Sequence, residues 1–236
     1  MTTKDRLLVR TKRAFRHMTP RHIVKSRITS QVVRNFAEKV GMVYFGYVNQ
    51  KSDDHRMVRG HTVSATHTDN HYCMGTLRGY DAIIVSRNDV IRARNKTKTE
   101  KRCHWLICVV DLHTKTEVPH LYVGHSSRDE AFHASYEQLR PIDLGIHAAY
   151  PPHFLNDYTV YGIATDGIEI EQTITPQVAD VISHHFTRAS IEIEDNTIYV
   201  YIESQFPDEQ VLEKTLSNAL WLADTIDNSF TSKTIQ

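Results

Sequence analysis

Cysteine is nearly missing from this chain. Three residues, Cys73, Cys103 and Cys108, are spread over 236 positions. So small and odd a number excludes a disulfide framework and fits a reducing, cytoplasmic setting. Long hydrophobic runs are missing too. The longest is Trp105 to Val110, far short of the roughly 20 residues that cross a bilayer as a helix. No apolar stretch follows the basic N-terminus as a secretion signal would require. Phosphate-binding loops, dinucleotide glycine motifs, CxxC pairs and HExxH pairs are likewise missing, which removes the enzyme classes those motifs announce. With 40% hydrophobic and 24% charged residues, what remains is an ordinary globular composition, able to bury a real core.

Net charge is zero, but it is unevenly placed. Residues 1–40 carry 11 basic and 2 acidic side chains, for +9; residues 151–236 carry 3 and 14, for −11. Arg10, Lys12, Arg13 and Arg16 lie at the heart of a basic arm over 1–28, ahead of a globular domain over 29–236. Such an arm has two fates. It docks on acidic surface of its own chain or of a protein partner, or it takes the phosphates of nucleic acid or an anionic membrane. Opposite charge is already present on the chain, so docking or a protein partner is the first reading.

Residues Arg102 to His125 set the fold. Trp105, Ile107 and Val109 share one face of an extended chain, and Leu106, Cys108, Val110 and Leu112 the other. A strand apolar on both faces is covered on both sides. Thr114 to Glu117 reads as a reversal and Val118 to Gly124 as the returning strand, so a buried hairpin is predicted at the middle of a sheet. Upstream, Ser30 reads as the N-cap of a helix ending at Gly41, followed by a strand over Met42 to Val48. Arg56 to Cys73 reads as two irregular strands with a loop near Thr68–Asn70, and Tyr80 to Arg87 as a firmer strand. Asn88 to Lys101 reads as an exposed connection, and Ser127 to Glu130 as a capping box opening a helix to about Leu139. A candidate subdomain boundary lies near 141–156, where Pro151 and Pro152 stand together.

The last third is the most legible. Thr175-Pro176 opens a helix. If Asp195-Asn196 is a two-residue hairpin turn, Ile193 faces Ile198 and Ile191 faces Val200. Glu192, Glu194, Tyr199, Tyr201 and Glu203 then share the other, solvated face, and the same alternation makes Glu169 and Glu171 solvated strand residues. A final helix from Asp208–Glu209 buries Leu212, Leu216, Ala219, Leu220, Ala223 and Ile226. No run of alternating strand and helix appears, so the predicted fold class is α+β with a largely antiparallel sheet and flanking helices.

Chemistry is thin. Fifteen histidines are the oddest feature of the composition. His67, His71 and Cys73, with Asp69 between them, offer the nitrogen, sulfur and oxygen ligands that zinc takes. Their spacing matches no standard zinc motif, and scattered surface histidines explain it as well. Gly124-His125-Ser126-Ser127 lacks the second glycine of a nucleophile elbow, and capping accounts for Ser127. Cys103 and Cys108 fall in apolar surroundings and read as buried and inert.

Tyr158-Thr-Val-Tyr161, Asp166, Thr175-Pro176 and the Ile191–Ile202 hairpin carry a resemblance. Through them the last third resembles a bacterial protein family of unknown function, and the whole chain looks like hypothetical proteins of small-genome bacteria. Members of that family often look membrane-tethered by N-terminal spans, which this sequence does not show. The resemblance implies no activity and no catalytic residue. The functional expectation is therefore a non-catalytic intracellular protein, with no cofactor, that binds a protein partner, self-associates or scaffolds. The alternatives are a metal-dependent enzyme using His67, His71 and Cys73, and an anion-binding protein acting through the arm.

Overall fold

The computed structural model describes residues 20–47, 66–92, 100–128, 139–145, 148–204 and 206–233. Their strands are β1 (Val43–Tyr47), β2 (Thr66–Leu77), β3 (Tyr80–Arg92), β4 (Glu100–Asp111), β5 (Leu121–His125), β6 (Arg140–Pro141), β7 (Tyr158–Gly162), β8 (Ser190–Glu194) and β9 (Thr197–Glu203). The helices are α1 (Pro20–Val40), α2 (Pro152–Asp157), α3 (Gly167–Thr173), α4 (Pro176–His185) and α5 (Glu209–Lys233). All nine strands join one sheet in the order β1-β2-β3-β4-β9-β8-β5-β7-β6. Every pairing is antiparallel. The fold is α+β, as the sequence predicts.

β4 is buried on both faces, and the alternation along it separates two cores. Leu106, Cys108 and Val110 face the helices, packing with Phe36 of α1, Phe154 of α2, Ile182 of α4 and Leu216 and Leu220 of α5. Trp105, Ile107 and Val109 face the other way, into a cluster with Tyr72, Tyr122, Tyr161, Tyr199 and Tyr201. The stripe expected on α5 is buried throughout. Asp208 caps that helix, its Oδ1 accepting from Val211 N at 2.8 Å.

The predicted central hairpin does not form. β4 pairs with β3 and β9, and β5 pairs with β8 and β7. The β8–β9 hairpin lies between them, so the connection over 112–120 crosses the tip of that hairpin. The tip is built for this. Asp195 and Asn196 both have left-handed backbones (φ 51° and 55°), as a two-residue turn of matching twist requires, and the register is the predicted Ile193↔Ile198 and Ile191↔Val200. Asn196 then holds the crossing strap. Its Oδ1 accepts from Val118 N at 2.8 Å, and its Nδ2 donates to the carbonyls of Thr114 at 3.1 Å and Thr116 at 3.2 Å. Asp227 of α5 holds the same strap by accepting from the backbone N–H groups of His113 and Thr114.

Five further expectations are corrected. Within the described residues helix α1 covers Pro20–Val40, so it runs through Ser30, which is not a cap, and no breaker interrupts 21–40. β2 is one strand with an irregularity between Asn70 and Cys73, with no loop at Thr68–Asn70, and β3 continues to Arg92. Glu169 and Glu171 lie on helix α3. The supposed solvated face of β8–β9 is largely covered: Glu192 is fully buried, and Tyr199 and Tyr201 nearly so. Glu192 tolerates burial because Tyr201 OH donates to its Oε2 at 2.7 Å and His120 Nε2 to its Oε1 at 3.2 Å. The predicted helix over 127–139 lies mostly outside the described residues.

Candidate functional site

β1 is the edge strand of the sheet, and both it and its neighbour are bent at one place. Gly46 has φ 71° and His71 has φ 55°, and the β1–β2 register slips beside each. A left-handed backbone is free for glycine, but costs a histidine about 1–2 kcal/mol. Local hydrogen bonding holds His71 there. Its Nδ1 bonds the Tyr44 hydroxyl at 3.0 Å, and that hydroxyl also bonds Ser30 of α1 at 2.9 Å. Arg34 of α1 lies over the Tyr44 ring, 5.3 Å from its centroid. Burial pushes His71 below its ordinary pKa, which favours the neutral ring.

Beyond this bend the helix-facing side of β2, β3 and β4 turns polar. Asn70, Ser86, Asn88 and His104 line a groove of about 650 Å³ against α1, with Phe206 at its rim. His104 Nδ1 is bonded to Asn88 Oδ1. The groove offers hydroxyl, amide and imidazole groups, with the Asp89 carboxylate and the Arg102 guanidinium also in its lining. Of its two phenols, that of Tyr44 is already shared between two partners, and that of Tyr47 lies on an exposed residue.

The outer margin of β1 is apolar. Val43 is 58% exposed, Phe45 50% and Tyr47 63%, and Met74, opposite Val43 on β2, is 37% exposed. Phe45 lies edge-on to Tyr72, ring centroids 6.2 Å apart, so Val43 and Phe45 continue the aromatic face of the sheet, whereas Tyr47, paired with Asn70 past the bend, lines the groove. An edge strand also keeps one row of backbone donors and acceptors outside the sheet's ladder.

The residues singled out from sequence fall as follows. His71 serves Tyr44. Cys73 faces the helical core, fully buried, its thiol donating weakly to His71 O at 3.8 Å and pushed by burial up to about 12. His67 pairs with Asp89 in the β2–β3 ladder, and its side chain lies outside the described residues. Asp69, placed between those residues in sequence, faces away and takes Arg87 in a buried two-pronged ion pair, with contacts of 2.8 and 2.9 Å. Burial disfavours the charge on Arg87, and Asp69 overrides it, holding the guanidinium above its ordinary pKa. Arg10, Lys12, Arg13 and Arg16 lie outside the described residues. All three cysteines are buried. Among the described residues, two other groups bring three potential metal ligands together: His120, Glu192 and Glu194, and His153, Asp180 and His184. Sequence reasoning missed the edge patch because Val43, Phe45 and Tyr47 alternate as core residues do. It missed both metal-ligand groups because each joins segments far apart in the chain.

No family model matches this chain, and no curated protein matches it. Its fold is similar to that of the mycobacterial trehalose monomycolate transport factor A, TtfA, in a crystal structure. The TM-score is 0.58 at 11% sequence identity, over 83% of this chain and 93% of that one. At that identity the likeness is one of fold.

Proposed function

We propose that this chain is a non-catalytic binding protein that takes an extended, apolar and acidic segment of a protein partner along β1. The exposed Val43–Phe45–Tyr47 margin on an edge strand carries the reading. Main-chain groups of the edge supply affinity, and alternate side chains supply selection. The charge of the segment follows from the neighbouring helix. Arg27 and Arg34 are exposed on α1, whose sequence adds Arg21 and Lys25. A second copy paired across β1 would set two such helices side by side, so like charges oppose a symmetric dimer. An acidic strand meets no such penalty.

A photo-crosslinking residue at position 45, in the full chain in its native cells, tests this. The control position is Ile168 on α3, which is 60% exposed. A discrete adduct from position 45 alone is expected, mapped by mass spectrometry to an acid-rich extended segment of another protein. An adduct with a second copy of this chain, equal yields from both positions, or no adduct would overturn the proposal.

A further inference from the structure

Away from the β1 margin, the packing of α2 on α4 brings three potential ligands together. Phe154 of α2 and Val178, Ala179 and Ile182 of α4 are buried in the same core, which fixes the two backbones. The start of α4 is fixed as well, because Thr175 Oγ1 accepts from Val178 N and Pro176 occupies the first turn. Asp180 and His184, four residues apart on α4, therefore share an outward face, and His153 of α2 reaches the same point.

We propose that His153, Asp180 and His184 form a zinc site open to solvent. Zinc bonds to histidine nitrogen and carboxylate oxygen run about 2.0–2.2 Å, so tetrahedral neighbours stand about 3.3–3.6 Å apart. His153 Nε2 lies 3.4 Å from Asp180 Oδ1, and His184 Nδ1 lies 3.6 Å from the same oxygen. Both edges thus have the length the ion needs. The two imidazoles meet edge to face with centroids 4.6 Å apart, and all three ligand atoms lie within 4.8 Å of one another. Closing the third edge needs only small motions of exposed side chains.

Two nitrogens and one oxygen suit zinc over magnesium or calcium, which take oxygen. The surrounding 151–236 region, at −11, favours any cation. His184 Nδ1 also lies 2.8 Å from the Asp180 carbonyl, to which it donates. On binding, the ion takes Nδ1 and the neutral ring's single proton moves to Nε2. The His120–Glu192–Glu194 group differs. There, both Glu192 oxygens already accept hydrogen bonds inside the fold, so that carboxylate has a structural task.

Three protein ligands leave a fourth position for water or for a group on another molecule. The test is zinc titration of the full chain against a chromophoric chelator, with thermal melts in parallel. One equivalent is expected in the wild type. That equivalent should weaken at least about tenfold in His153→Ala, His184→Ala and Asp180→Asn, as loss of a ligand does. Control variant His185→Ala, at an exposed position outside the group, should bind as the wild type does. Metal-free melts should be unchanged in all four, since these side chains are exposed. Zinc bound by the three ligand variants as tightly as by the wild type, or not at all by the wild type, would overturn the site.

Discussion

Asn196 carries the most exposing test of the topology. Its alanine variant loses two separable contributions. The first is the side-chain clasp on the 112–120 strap: one bond from Val118 N and two to the Thr114 and Thr116 carbonyls. The carbonyls lie where water replaces the lost donor, so the partly buried Val118 N–H dominates, and the clasp is worth about 1–3 kcal/mol. The second is the backbone. At φ 55°, alanine is less tolerant than asparagine, which adds about 1 kcal/mol. The total for Asn196→Ala is about 2–4 kcal/mol. Glycine separates the two, since it accepts the left-handed backbone and removes only the clasp. Asn196→Gly should therefore cost about 1–3 kcal/mol and stay more stable than the alanine variant. In a chain of this size each kcal/mol lowers the melting temperature by about 2–4 °C. Urea unfolding followed by circular dichroism gives the free energies, with an unchanged denaturant slope confirming that only stability moved. An Asn196→Gly variant as stable as the wild type would refute the clasp.

His120 supplies a pH test. Burial works against its charge, but the hydrogen bond and charge of Glu192, aided by Glu194 and Asp195, win and hold its pKa above the ordinary value. The folded chain thus binds this proton more tightly than the unfolded one. The stabilisation is complete below about pH 6.5 and is lost as pH rises through the higher folded value. The stability difference between wild type and His120→Gln, measured by urea unfolding, should shrink with rising pH across that window; a difference that grows would reverse the assignment. Leu220, 5% exposed in the helical core, should cost about 2–5 kcal/mol when replaced by alanine, and thermal melts showing no change would mean that α5 does not pack as described.

What could be read from the chain was local. The β8–β9 register follows from a two-residue turn and its flanking alternation, and the cap at Thr175 from two adjacent residues. The partner of β4 could not be read the same way, because a strand apolar on both faces says that it is central, not what lies beside it. A hint was present in the 112–120 connection, longer than the 2–5 residues typical of a hairpin loop. The burial of Glu192 was invisible for a related reason. Alternation separates two faces, but a face bearing Tyr199 and Tyr201 suits water or an aromatic core equally. The edge site depends on a bend at Gly46 and His71, on strands joined by a long connection. The zinc group was half legible, as Asp180-x3-His184 on a helix, but His153 arrives only through tertiary packing.

The insertion of β8–β9 beside β4 also sets the order in which the molecule can be made. As the ribosome releases the chain, β1 to β4 can pair in sequence, whereas β9, the other neighbour of β4, starts about 85 residues later. At about 5–20 residues per second, that leaves the Trp105–Asp111 edge without its partner for several seconds of synthesis. This edge is rich in β-branched and aromatic residues and contains neither lysine nor proline, the features that normally protect a strand from pairing with another chain. Substitutions that slow closure of the β8–β9 hairpin should thus raise aggregation during expression by more than their effect on the finished fold would suggest.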